Sequence, residues 1–406
     1  MTRVAFLVEE LGRSGGMAVI RRHARHLRDA EGMDVELVVC GARARLEEED
    51  VPVRRLADVR DYDIAIATWW TTAEALFELE ARRRVVYLQN LEFRFYRENE
   101  LADRLGALSV LDLPVDYIVI ASHMEALLAQ LRPRARVVKV TPGINKDVFA
   151  VAPPRAADSE LRVLVEGQPT LWFKAVPEAV ALARSARAQV TVVAHDPAVK
   201  IDADQVVGGL PAREMAALYG EHDVLLRLAR FEGLGLPPLE AFHVGVPCVL
   251  TPFTGSEEYA RHEYNSLVVG FDDGPGTVAA LERLRDPALR DRLREGALAT
   301  ASGWPDEQAA GAAFADALRS FLAGPPPSSE EALRRMMRTR RLGIELTRAQ
   351  ERRLGGEAVW WKDAWKQADA KNAEYDAWTR ELQRIVEALQ ARPGYRIEER
   401  LRRLKR

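Results

Sequence analysis

Short apolar runs rich in β-branched residues alternate along the first half of the chain with longer stretches of helical spacing. Residues 4–8, 35–39, 64–67, 85–88, 117–121 and 137–140 read as strands. Helical patterns fall between most of them, for example over 17–29 and 123–131. Strands that are apolar at nearly every position are buried on both faces, which predicts parallel sheets covered by helices. A turn cluster at 141–145 and a proline-containing stretch at 151–155 interrupt the pattern and predict a hinge. The alternation then resumes with strands over 161–165, 190–193, 224–228, 246–250 and 267–269. Helices are expected around 177–185, 213–219, 238–243 and 277–284.

The expected fold class is therefore α/β. It comprises a Rossmann-like first domain over 1–150 and a second over 151–323, facing each other across a cleft. The Gly/Pro/Ser stretch 324–329 reads as a linker into a helical tail, so 324–406 forms a third region. Composition narrows the setting. A chain of 406 residues fits two core-forming domains plus extra material. A net charge of −3 gives no footprint for nucleic acid. Cys40 and Cys248 are the sole cysteines, too few for a disulfide framework or a cysteine metal site, and imply a reducing, cytoplasmic setting. The apolar amino terminus soon meets Glu9 and Glu10 and reads as a buried strand, not a leader. No apolar run approaches the ~20 residues of a membrane span, so any membrane work would be peripheral. The tail is basic and carries Trp360, Trp361, Trp365 and Trp378, ending in a basic run from Arg396 to Arg406. Residues 331–406 read either as a membrane-surface or partner-binding element, or as a helix pair that packs on the body or self-associates.

The segment Phe231-Glu232-Gly233-Leu234-Gly235-Leu236-Pro237-Pro238-Leu239-Glu240-Ala241-Phe242 carries the chemistry. It follows an expected strand and opens an expected helix. Its glycines permit a tight loop whose N–H groups face a ligand, and its prolines suit a helix start. A helix amino terminus in a cleft seats a diphosphate, while carboxylates accept hydrogen bonds from paired sugar hydroxyls. The plain alternative is a turn with two ordinary acids. A second loop, with Gly15 and Gly16, follows the first strand. It is not a dinucleotide fingerprint, and no cofactor is expected. Gln89 and Asn90 end another strand, and Trp69 and Trp70 end a third. Gln89 and Asn90 read as cleft lining or as an ordinary strand end, and Trp69 and Trp70 as cleft lining or as core or domain packing. His23 and His26 lack the remainder of a metal set and are expected on a solvated face. Asp61-Tyr62-Asp63 and Asp202-Ala203-Asp204 are short, common patterns and are set aside as metal motifs.

The Glu-Gly-x-Gly-Leu-Pro-x-x-Glu-Ala pattern resembles the signature of retaining GT-B glycosyltransferases of the family-four type (glycosyl transferases group 1). Residues 210–224, 245–249 and 265–269 look like the segments flanking that signature, and 141–149 resembles the family's interdomain connection. Tyr87-Leu88-Gln89-Asn90-Leu91-Glu92 resembles some bacterial rhamnosyltransferase-like members. The resemblance is strong in the second half, looser in the first and absent from the tail. It implies a metal-independent, retaining transfer from a nucleoside-diphosphate sugar to a glycan or lipid-linked acceptor in polysaccharide biosynthesis. It implies that Glu240 holds the ribose hydroxyls and Glu232 the donor sugar. Gly233, Leu234, Gly235 and Leu236 would face sugar and phosphates, and Lys174, with Gly167 and Gln168 before it, would meet the diphosphate. The family's arginine after this glycine is Gln168 here. Leu210 would sit near the base with Ala194 and His195, Gly15 and Gly16 would face the cleft, and Gln89, Asn90 and Trp69 the acceptor. A nucleotide-sugar epimerase and a non-catalytic relative acting through its tail are the rival readings.

Overall fold

The computed structural model describes residues 1–327 apart from 13, 42–48, 60, 98, 134 and 156–159, residues 336–352 apart from 339, and scattered positions between 355 and 388. Met1–Ile344 is one compact unit and Glu345–Arg406 a second. The expected tail tryptophans and the basic run from Arg396 lie outside the described residues.

Two parallel sheets organise the first unit. One contains β1 (Arg3–Val8), β2 (Asp34–Val39), β3 (Val53–Arg55), β4 (Asp61–Ala67), β5 (Glu80–Leu88), β6 (Asp116–Val119) and β7 (Val137–Lys139), in the order β3-β2-β1-β4-β5-β6-β7. The other contains β8 (Arg162–Glu166), β9 (Gln189–Val193), β10 (Gln205–Val207), β11 (Val224–Arg227), β12 (Cys248–Leu250) and β13 (Ser266–Val268), in the order β10-β9-β8-β11-β12-β13. The strand order reverses between β1 and β4 and again between β8 and β11. Open α/β sheets bind ligands beyond the strand ends at such switch points. Every expected strand is present within a few residues. The edge strands β3 and β10 are additions.

Helices α1 (Gly15–Asp29), α2 (Thr72–Ala75), α3 (Leu101–Ser109) and α4 (Ser122–Leu131) accompany the first sheet. The second half adds α5 (Val176–Ser185), α6 (Ala212–Gly220), α7 (Leu236–Val244), α8 (Gly274–Arg283), α9 (Pro287–Gly303) and α10 (Glu307–Ala323). Among the described residues no helix is long and apolar enough to cross a membrane.

The chain does not stay with the second sheet. Helix α10 returns to α1, where Phe314 stacks on His23 at 4.3 Å and on Phe6 at 5.8 Å. This overturns the solvated-face expectation for His23, which is buried in the core, and His26 is partly covered too. A helix from far along the sequence covers a face that local spacing reads as open. Burial, then the nearby charges of His26 and Arg22, push the His23 imidazole down to about 3, so it stays neutral. Past the proline stretch the chain again meets the first sheet's helices. Arg340, buried, donates to Ser109 Oγ at 2.7 Å and the Gly106 carbonyl at 2.9 Å, and pairs with Glu74 at 2.8 Å. Met337 and Ile344 join the same core.

The two Asp-x-Asp patterns brace strand ends. Asp63 accepts the Arg3 amide at 2.9 Å and Asp61 pairs with the Arg3 side chain at 3.2 Å. Asp204 accepts from the Val190 amide at 2.7 Å and from Arg184 at 2.8 Å.

Candidate active site

The strands β8 and β11 at the second switch point end on charged residues, Glu166 and Arg227. Beyond β8 come Gly167, Gln168 and a single turn, Trp172–Lys174. Beyond β11 comes the Gly/Pro loop, which enters α7 through Gly235. That residue has φ +78°, in the left-handed region, and the Phe253 ring and Tyr259 hydroxyl crowd the space a Cβ would need. Pro237 and Pro238 occupy the first turn of α7, where an amide hydrogen has no helical acceptor to lose.

This geometry joins Glu232 and Lys174, the residues that the resemblance assigns to the donor sugar and the diphosphate. Lys174 Nζ donates to both carboxylate oxygens of Glu232, at 2.8 and 2.9 Å. Arg227 donates to the same carboxylate, and its other nitrogen pairs with Glu166. Burial alone would raise the Glu232 carboxyl, but Arg227 and then Lys174 outweigh it and hold it below the ordinary carboxylate value. Glu232 is thus a fixed anion with two cations against it. Glu240 differs. The Tyr219 hydroxyl donates to its carboxylate at 3.2 Å. Burial pushes its carboxyl up to about 7, with the Arg22 charge opposing and Glu166 adding.

The first sheet supplies the facing wall. Gln89 is buried at the end of β5, and its side chain lies against Gly16, 3.4 Å from where a Cβ would stand. Its carbonyl, with the Asn90 side chain, fills the space a Cβ at Gly233 would occupy. Gly16, Gln89, Asn90 and Gly233 therefore converge on one point between the sheets. Gly15 is exposed at the start of α1. Trp69 stacks on Phe95 at 6.2 Å, whereas Trp70 is buried and donates to the Tyr96 hydroxyl at 2.6 Å. Leu234 is buried and Leu236 partly so. Leu210 is partly buried in the turn before α6. Ala194 is buried, His195 is exposed, and Gln168 accepts weakly from the Asp196 amide at 3.4 Å.

Several contacts were not anticipated. The Arg94 guanidinium lies 4.2 Å from the Phe231 ring centre and donates to Thr254 Oγ1 at 3.2 Å. Phe95 stacks on Phe173 at 4.6 Å, and its carbonyl accepts the Trp172 indole at 3.1 Å. These contacts clasp the two sheets' loops together beside Lys174. One signal was available for Arg227: an arginine closing a strand expected to be buried on both faces needs charged partners.

Gly233 tests the convergence. Gly233→Ala places a methyl group on the Gln89 carbonyl, so the loops must part. Turnover should fall at least about 10-fold, because misplacing reacting groups by about 1 Å is costly. The melting temperature should move little and the radius of gyration in X-ray scattering should rise. A variant as compact and active as the parent would show that this approach is incidental.

Residues 200–299 match the family model described as glycosyl transferases group 1. An uncharacterized 41.2 kDa protein in the cps region of Klebsiella pneumoniae is 31% identical over 90 residues, covering 22% of this chain and 25% of the relative. The chain thus spans about a quarter of that relative's length. Among solved structures, sucrose-phosphate synthase of Thermosynechococcus elongatus superposes with a TM-score of 0.66 at 16% identity, over 80% of this chain and 100% of that one. Anabaena HepE, crystallised with UDP-glucose, gives 0.64 at 13% identity, over 79% and 100%. The two-sheet unit has the GT-B architecture, and over residues 200–299 it matches the family of glycosyl transferases group 1.

Proposed function

We propose that the protein is a glycosyltransferase that moves a sugar from a nucleoside diphosphate to a glycan or lipid-linked acceptor, with retention at the anomeric carbon. The carrying observation is the buried Glu232 carboxylate held by Lys174 and Arg227 beside the amino terminus of α7. Glu232 receives donor-sugar hydroxyls and Glu240 the ribose hydroxyls. Lys174 and the free amides of α7 face the diphosphate. The bond from the anomeric carbon to the diphosphate oxygen breaks while the bond to the acceptor oxygen forms. The departing phosphate oxygen takes the acceptor proton, because Gln89 on the facing wall is no base. Lys174 gains most when that oxygen becomes negative, so its contribution is to turnover. The UDP-glucose carried by the similar HepE supports a sugar nucleotide as donor. Gln89, Asn90 and Trp69 form the acceptor wall, and residues 331–406 bring the enzyme to its acceptor at a membrane surface or on a partner.

A panel of UDP, GDP, ADP and dTDP tests the donor site, since a ligand that binds only the folded state raises the melting temperature. One of the four should stabilise by several degrees at millimolar concentration. No stabilisation by any would count against the reading. Release of that nucleotide only in the presence of acceptor then separates transfer from epimerisation.

A further inference from the structure

The charge pairing at these strand ends points to a division of labour. Lys174 and Arg227 both hold Glu232, and Arg227 also holds Glu166. An incoming diphosphate brings about two negative charges to the same strand ends, so one of the cations must turn to it. The two differ in freedom. Lys174 sits on a short turn, with its side chain 20% exposed, at the end of a flexible stem. Arg227 closes β11 with its side chain 2% exposed, between two carboxylates, and also donates to the Glu166 carbonyl. Moving Arg227 would leave the buried Glu232 with Lys174 alone and take the partner from the partly exposed Glu166, whereas moving Lys174 leaves Glu232 still paired.

We propose that Arg227 is a positioning residue, the permanent counter-charge that keeps Glu232 ionised and aimed at the donor sugar when Lys174 leaves it for the diphosphate. The inference rests on the donor-site reading above and adds to it a residue that touches neither sugar nor phosphate. Burial disfavours the Arg227 charge, but Glu166 and Glu232 more than restore it, so the guanidinium is cationic throughout the working range. Its Nε atom is buried with no hydrogen-bond partner among the described residues. The guanidinium is therefore held at its two terminal nitrogens, Nη1 by Glu166 and Nη2 by Glu232, so anchoring on Glu166 fixes the nitrogen that meets Glu232. The neighbouring Gly167 keeps this strand end open: a Cβ there would stand 2.9 Å from Val176 and 3.6 Å from Arg227 Nη1.

Calorimetry of Arg227→Met and Arg227→Lys against UDP, GDP, ADP, dTDP and the glucose conjugate of each separates the roles. Arg227→Met should bind the preferred nucleoside diphosphate within about threefold of the parent but lose about 10-fold in the extra affinity for its glucose conjugate. With an accepted donor, its kcat should fall about 10²-fold and the acid limb of kcat should move to higher pH, because Glu232 then takes a proton more easily. Arg227→Lys should recover most of the glucose increment. Parent-like binding and turnover in Arg227→Met overturn the inference, as does equal loss of diphosphate and conjugate affinity. Should the Met variant not fold by circular dichroism, the Lys variant decides. A retained glucose increment supports the role, and its loss with diphosphate affinity intact overturns it. A parent protein that binds none of the probes overturns the donor-site reading and this inference together, whereas a parent that binds with an unaffected Arg227→Met overturns this inference alone.

Discussion

Lys174→Ala should lower turnover by about 10²-fold while changing the apparent affinity for donor and the melting temperature little. The magnitude is that of removing one fixed group that meets charge developing in a transition state. In the structure Lys174 pairs with Glu232, with both contacts under 3 Å. Donor binding therefore exchanges one anionic partner for another and gains little net energy. In the proposed transfer the departing diphosphate becomes more negative as the glycosidic bond breaks, and its interaction with Lys174 strengthens at that moment. The effect should thus fall on kcat more than on KM. The fold tolerates the change because Arg227 still neutralises Glu232. Steady-state kinetics with nucleotide release as readout check it. Unchanged turnover in a folded Lys174→Ala enzyme removes Lys174 from the mechanism.

What could be read from the sequence follows from which interactions are local. The alternation of β-branched runs and helical stretches placed the strands, because a strand buried on both faces announces itself residue by residue. The edge strands β3 and β10, three residues each, were not legible: Arg54 and Gln205 are exposed, and so short a run gives no period. The signature segment was legible as a tight loop into a helix because glycine admits the left-handed backbone seen at Gly235 and proline suits a first helical turn. Its contacts were not. That Gly233 meets the Gln89 carbonyl, that Phe95 stacks on Phe173, and that α10 covers His23 each depend on two segments far apart in the chain. The resemblance gave Glu232 and Lys174 separate ligands, whereas the structure pairs them with each other. A buried carboxylate and a nearby ammonium group find one another before either finds a substrate.

Glu240→Gln should separate stability from binding, in opposite directions and with a pH signature. The Glu240 carboxyl is held at about 7, above the ordinary 4.5 of the unfolded chain. The folded state therefore binds more protons than the unfolded state between those values, and stability falls as pH rises from about 4.5 through about 7. An amide at this position carries no such penalty and still accepts from Tyr219. The full shift corresponds to about 3 kcal/mol, and partial exposure of the residue reduces it, so a gain of about 1–2 kcal/mol over the parent is expected at pH 8. At pH 4.5 the two proteins should be alike, which denaturant titration at both pH values checks. Donor binding runs the other way. On the proposed reading two ribose hydroxyls donate to an ionised Glu240 carboxylate, so the bound state prefers the deprotonated form and nucleotide affinity should rise with pH up to about 7, then level off. Glu240→Gln should abolish that limb and weaken nucleotide binding by about 10²-fold, the scale of losing hydrogen bonds to a charged acceptor. Calorimetry in buffers of different ionisation enthalpy should show a proton released on binding at pH 6.5 by the parent and none by the variant. A variant that binds nucleotide as the parent does, with the same pH limb, would place the ribose elsewhere and make the raised Glu240 carboxyl a cost with no corresponding gain.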